Sequence, residues 1–199
     1  MSQRNGGARH PDGGPLRDLD LAALAYFAHH AIDPEIAAAL GVTATAGAVA
    51  WPYRRPEGST YPRTRNLSGG AKTVQPAGEP LAVWWPAGRP EPGGGVLVAE
   101  GESDALAALS ALRAAPLSYG RLGVAALPGT GFPAARLAAE LRSAGVATAY
   151  LVMDGDDAGR TYSEKARVAL VEADIDPIEV RLPDGTDLAE WLAALDTVE

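Results

Sequence analysis

Apolar residues recur at helical spacing from Arg17 to Ile32, with Leu21, Leu24, Ala25, Ala28 and Ile32 on one stripe, and predict an amphipathic helix. Asp33-Pro34 then supplies an N-cap and a first-turn proline, and Gly41 a stop, so "DPEIAAALG" predicts a second, short helix. Residues 42–88 mix Thr, Val, Trp and Tyr with Pro and Gly, which predicts short antiparallel strands with tight turns. "RPEGS" is the turn candidate, and "LAVWWP" reads as a strand with one Trp inside and one near the surface. "GRPEPGGG" at 88–95 reads as an internal linker. After Gly95 the rhythm becomes regular. "GVLVAE", "LGVAALPG", "ATAYLVMD" and "PIEVRLP" are apolar runs of strand length. Each is followed by a helical pattern: "SDALAALSALRAA", "PAARLAAELRSAG", "AGRTYSEKARVALVEAD" and "TDLAEWLAAL". Four strand–helix units in succession predict a parallel sheet covered by helices on both faces. The expected organisation is therefore a disordered Gly- and Pro-rich tail (1–15), a small α+β subdomain (16–90) and an α/β domain (95–199).

Composition narrows the chemistry. The 199-residue chain contains no Cys, which excludes disulfides, thiol nucleophiles and Cys-based zinc sites. The sequence contains no apolar stretch of membrane-spanning length and no apolar signal core, so it reads as a cytoplasmic chain without a membrane partner. The net charge of −8 argues against a general electrostatic grip on nucleic acid. Its distribution is uneven, however. Arg54, Arg55, Arg63, Arg65 and Lys72 stand against the single acid Glu57 between residues 54 and 72, and acids dominate later.

Those acids fall at strand ends. Glu100 ends the first strand of the regular half, with Asp104 one helical turn on; Asp154, Asp156 and Asp157 end the third; Asp184 and Asp187 follow the fourth. In a parallel sheet, functional groups gather at the carboxyl ends of the strands, so folding should bring Glu100, Asp154 and Asp156 to one rim, with Asp184 and Asp187 nearby. Bare carboxylates packed closely repel and raise one another's pKa. A divalent cation with oxygen ligands removes the conflict. Asp after a strand is also a common turn former or N-cap, and Asp184-Gly185 taken alone reads as a turn; the combination is what points to a metal. Other features read as structural: "LPGTGFP" is a tight turn without the Walker lysine, and the adjacent His29 and His30 suit a packed or solvated helix.

"VAEGESDAL" with "LVMDGDDAGR" resembles the toprim domain of bacterial DNA primases, type IA and II topoisomerases and several nucleases. The primase branch is the nearest in pattern. "EGESD" is similar to its Glu-Gly-x-x-Asp, "DGDDAGR" to its Asp-Gly-Asp-x-Ala-Gly, and "LPDGTDLAEWL" to its later Pro-x-Gly-x-Asp-Pro-Asp, with Leu188 and Ala189 departing from the last pattern. The strand-rich front half has the outline of the primase subdomain that carries Arg and Lys. Without Cys these 199 residues hold no primase zinc ribbon, and no helicase-binding region is expected after the toprim-like part.

The resemblance implies a toprim-type parallel sheet preceded by a primase-like α+β subdomain, and template-directed primer synthesis on single-stranded DNA. Mg2+ or Mn2+ would be held by Glu100, Asp154 and Asp156, helped by Asp104, Asp184 and Asp187. Arg63, Arg65 and Lys72 would hold template phosphates or the nucleoside triphosphate. A replicative helicase or a separate zinc-ribbon protein is the implied partner. Two other readings share the acidic rim: a toprim nuclease that activates water, and a nucleic-acid-binding module without turnover. A topoisomerase does not fit, since 199 residues leave no room for a strand-cleaving tyrosine domain.

Overall fold

The computed structural model describes residues 21–45, 47–69, 72–114 and 122–195. The expected tail at 1–15 and the first turn of the helix read from Arg17 lie outside them.

Two short helices open the fold, α1 (Leu21–His29) and α2 (Pro34–Ala39). As the sequence predicts, the Asp33 side chain accepts a hydrogen bond from the Glu35 backbone N–H at 2.8 Å. Gly41 takes φ +78°, a left-handed geometry that closes a helix at little cost only for glycine. An antiparallel sheet follows in the order β1 (Thr43–Thr45), β2 (Ala48–Arg54), β3 (Thr60–Asn66), β4 (Thr73–Val74). The β2–β3 hairpin turns at the "RPEGS" stretch, where Gly58 has φ +93°. Alternation along β2 buries Val49, Trp51 and Tyr53.

The second sheet is parallel, in the order β6 (Leu122–Ala126), β5 (Gly95–Ala99), β7 (Thr148–Val152), β8 (Asp176–Glu179). Strand residues alternate between two cores. Ala99, Val124, Ala126 and Val152 face one cluster, with α3 (Glu102–Ala114) and α6 (Leu188–Leu195). Val96, Val98, Ala125 and Leu151 face the other, with α4 (Ala134–Ser143) and α5 (Asp157–Glu172). The fold is thus α/β with helices on both faces of the sheet. The first cluster also takes in Phe27 of α1 and Trp51 and Tyr53 of β2. The antiparallel sheet therefore has its apolar face in the same core as α3, which fixes it relative to the parallel sheet.

One local expectation changes. "LAVWWP" is not a regular strand. Only Trp84 pairs, exchanging two 2.9 Å backbone hydrogen bonds with Ala126. Pro80 and Pro86 bracket the segment and cannot donate to a ladder, yet the bridge covers the edge of β6. Trp84 is 2% exposed, and its indole donates to the Pro52 carbonyl at 2.8 Å. The 88–95 linker is held in place. The Gly93 N–H donates to the Gly145 carbonyl at 2.8 Å, and Pro90 packs so closely on Gly123 that a Cβ there would lie 3.0 Å from it. Among the described residues no helix is long and apolar enough to cross a membrane.

Candidate active site

Strand order reverses around β5: the chain leaves it for β6 on one side and returns to β7 on the other. Such a switch point opens a crevice at the strands' carboxyl ends. Ala99 pairs with Val152 in the last register of β5 and β7, so the residues that follow, Glu100 and Asp154, leave the sheet side by side. The Asp154 N–H donates to Glu100 Oε2 at 3.2 Å. The crevice continues as a cleft of about 260 Å³ between the two sheets. Glu100, Asp104, Asp154 and Asp187 line its acidic side; Arg63, Arg65 and Lys72 come from the antiparallel sheet.

The other two candidate acids sit elsewhere. Asp156 is exposed and caps α5, its Oδ1 accepting from the Gly159 N–H at 2.7 Å. It does not line the cleft but is close enough to act on the charges of both Glu100 and Asp154. Asp184 is spread into solvent and pairs with Arg160 at 3.0 Å, outside the cleft. Asp187 lines the cleft and also caps α6: its Oδ1 accepts from the Glu190 N–H at 2.7 Å, while Glu190 Oε2 reaches back toward the Asp187 N–H at 3.5 Å, the reciprocal arrangement of a capping box.

The electrostatics show the strain that the sequence implies. Burial pushes the Asp104 carboxyl up to about 8, helped by the negative charges of Asp187 and Asp154 and opposed by the Ala189 N–H. Burial likewise pushes Asp154 up to about 7, with Glu100, Asp187 and Asp156 adding and Lys72 opposing. Glu100 is raised for the same first reason, against the Asp154 N–H and Lys72. Among the described residues no group of three His, Asp or Glu side chains is disposed to grip one ion. The donor set still fits Mg2+, which takes oxygen ligands, keeps several waters and binds through one or two carboxylates plus substrate phosphates rather than an all-protein cage. The Glu100–Asp154 pair, open to the cleft, is such a set.

Two glycines of "DGDDAG" lock the rim. A Cβ on Gly155 would lie 2.0 Å from the Pro183 carbonyl oxygen, and one on Gly159 would lie 2.2 Å from the Asp154 carbonyl oxygen. Gly155 also donates to Thr186 O and accepts from the Gly185 N–H, both at 2.8 Å. The requirement at Gly155 is space for the 183–186 loop: its φ is not left-handed, and close approach is what excludes a side chain. Gly155→Ala is expected to destabilise the fold by about 1–3 kcal/mol, the usual range for overpacking against atoms that cannot move away. Denaturant unfolding of the variant checks this.

Residues 97–192 match the family described as Toprim-like. The C-terminal part of this chain is a toprim domain. No curated protein matches the chain. Among solved structures, the chain resembles the Aquifex aeolicus primase fragment containing the zinc-binding and RNA polymerase domains, with TM-score 0.64 and 21% identity over 88% of this chain. It spans 53% of that structure's length. It also resembles the primase fragment of the bacteriophage T7 primase-helicase, with TM-score 0.62 and 20% identity over 92% of this chain and 75% of the other. A third resemblance is to a T7 lagging-strand DNA polymerase structure with primase domains bound to an RNA/DNA hybrid and dTTP. There the TM-score is 0.60 and the identity 20%, covering 83% of each chain. The fold is primase-like throughout, the antiparallel sheet as well as the toprim domain.

The toprim signatures Glu100 and Asp154 thus meet at the cleft, but one basic residue behaves otherwise. Arg63, on β3, is 8% exposed and forms a buried ion pair with Glu102 in the first turn of α3. Its Nη2 also donates to the Pro128 carbonyl at 3.2 Å, and the Tyr53 hydroxyl donates to Glu102 Oε1 at 2.7 Å. The expectation of a guanidinium offered to phosphate gives way to a strut between the antiparallel sheet and the toprim domain, because Glu102 competes for it from inside the protein. The motifs alone pass over Glu102, whose partner Arg63 lies far off in the sequence. They also leave His30 as merely packed and do not single out Tyr26; both line the cleft.

Proposed function

We propose that this chain synthesises primers on a single-stranded DNA template by metal-dependent nucleotidyl transfer from nucleoside triphosphates. The observation that supports it most is the facing of carboxylates and cations across one cleft. Glu100, Asp154, Asp104 and Asp187 lie on the toprim side, Arg65 and Lys72 on the antiparallel sheet. Lys72 acts on both Glu100 and Asp154, so an anionic group between them meets positive charge from one wall and metal-holding oxygens from the other.

Glu100 and Asp154 would hold Mg2+ or Mn2+, with Asp104 and Asp187 behind them and Asp156 at the edge. The chemistry a bound metal supplies there is acidification of the attacking 3′-hydroxyl and neutralisation of the triphosphate leaving group. The protein's own share is positioning. Lys72 and Arg65 orient the triphosphate and the template phosphates, and the Asp154 N–H keeps the Glu100 carboxylate turned toward its neighbour. The fold shared with the T7 primase-helicase fragment and with primase domains bound to an RNA/DNA hybrid supports the same reading. It suggests a replicative helicase, or a protein bearing a zinc-binding domain, as partner.

Arg65→Ala and Lys72→Ala are each expected to weaken single-stranded DNA binding. Each should reduce the slope of log affinity against log salt by about 0.7 for every phosphate that the variant no longer neutralises. Fluorescence anisotropy across a salt series reads that slope.

The deciding experiment is one gel: single-stranded DNA, labelled nucleotides and Mg2+ or Mn2+, beside an Asp154→Ala/Asp156→Ala control. Short new products that vanish in the control support primer synthesis. Shortened input DNA supports the nuclease reading instead. Metal-dependent binding without either product supports a module that needs a partner chain.

A further inference from the structure

One wall of the cleft carries neither the acids nor Lys72. Tyr26 and His30, one turn apart on and just beyond α1, line it beside Arg65. Their rings meet edge to face with centroids 4.3 Å apart, and the Arg65 guanidinium lies over the Tyr26 ring, 5.7 Å from its centroid. Burial lowers the His30 pKa, so the ring is neutral at physiological pH. Its Nδ1 is enclosed and finds no hydrogen-bond partner among the described residues. The Tyr26 hydroxyl lies beside Ser103 without closing a hydrogen bond. An imidazole kept only for packing serves worse than an apolar side chain, which has no polar atom to strip of water. The wall is aromatic, and the Arg65 cation stacks on it. Asp187 and Glu190 act on His30 with negative charge, and His29 and Arg65 with positive.

We propose that Tyr26 and His30 receive the nucleobase of the nucleoside triphosphate, while Lys72, Arg65 and the Glu100–Asp154 pair hold its phosphates. This rests on the reading of the cleft as a nucleotide site. Bases stack on aromatic rings and on guanidinium planes with little regard to sequence, which suits an enzyme that must accept more than one nucleotide.

The test uses the whole chain. Its three histidines are His10, His29 and His30, so the imidazole proton resonances are few and a His30→Gln variant assigns one of them. In wild type, MgATP is expected to shift the His30 resonance through the ring current of the base, while Mg-tripolyphosphate, which has no base, leaves it in place. A shift produced by oligodeoxythymidylate and not by MgATP overturns the assignment to the nucleotide. Equal shifts with MgATP and tripolyphosphate, or none while both bind, overturn the base site and leave the phosphate site standing. Binding of neither ligand overturns the nucleotide reading of the cleft along with the proposal. In a Tyr26→Leu variant that melts cooperatively, MgATP affinity should fall roughly ten- to hundredfold toward that of Mg-tripolyphosphate, with tripolyphosphate binding unchanged. Undiminished MgATP affinity in that variant contradicts the proposal.

Discussion

Glu102→Ala is expected to lower folding stability by about 3–5 kcal/mol, the range found when one partner of a buried ion pair is removed and the other charge is left behind. Arg63 and Glu102 side chains are each 10% exposed, so water cannot readily take Glu102's place. The loss is a large share of the about 5–15 kcal/mol that holds a domain folded. It should fall on the joint between the sheets, because the pair ties β3 to the start of α3 and Tyr53 of β2 shares the same carboxylate. Removing both charges should cost much less. A well-packed Arg63→Met/Glu102→Met double variant avoids the stranded guanidinium, and replacing such pairs by apolar residues is often neutral. Tyr53→Phe, which removes one hydrogen bond to Glu102, should cost about 1 kcal/mol. Guanidinium unfolding of the four proteins reads these differences. A loss below about 1 kcal/mol for Glu102→Ala would show that the pair is not a strut.

Under the proposed primer synthesis, Asp154→Asn is expected to reduce nucleotide incorporation by about a thousandfold or more, since a metal held there would supply several kcal/mol of transition-state stabilisation. The same substitution should make the metal-free protein less sensitive to pH. Asp154 and Asp104 hold protons up to about 7 and about 8 in the folded chain, against about 4 for an unfolded Asp. Between those values the folded state binds more protons than the unfolded one, so stability falls as pH rises. The contribution of these two groups is fully present below about pH 4 and levels off above about pH 8. With EDTA present, wild type should therefore lose stability from about pH 5 to about pH 8.5, and Asp154→Asn and Asp104→Asn should each lose less. Mg2+ should reverse the trend at the higher pH, because it binds the ionised carboxylates and releases their residual protons. Urea unfolding at the two pH values, with and without Mg2+, measures each sign.

The parallel sheet and its acidic rim are legible because both follow from local rules. Apolar runs bounded by helical patterns leave little choice but a parallel sheet, and Glu100 and Asp154 are carried to one place by the ends of two strands that pair in register. The spacing of "EGESD" and "DGDDAGR" adds what geometry alone leaves open. What the sequence does not disclose depends on partners distant in the chain. Arg63 meets Glu102 across 39 positions, and no periodicity marks such a match. Asp184 reads with the rim because it follows a strand, but it pairs with Arg160 in solvent and does not line the cleft. Nothing local marks the loop that presses on Gly155 from residues 183 and 186 and leaves no room for a side chain. Trp84 reads as strand by composition, but the prolines around it allow only a single bridge. His30 reads as packed because one face of a helix resembles another until the opposing wall is known.

The most direct test of a metal held by the Glu100–Asp154 pair is a Mn2+ titration followed by electron paramagnetic resonance, on wild type and on Asp154→Ala at about pH 8, where the Asp154 carboxyl is ionised. Wild type is expected to show saturable loss of the free-ion signal, weaker at about pH 6 where Asp154 and Asp104 are protonated, and the variant little loss. Equal binding by both proteins would contradict this, because the metal would then lie somewhere other than between Glu100 and Asp154.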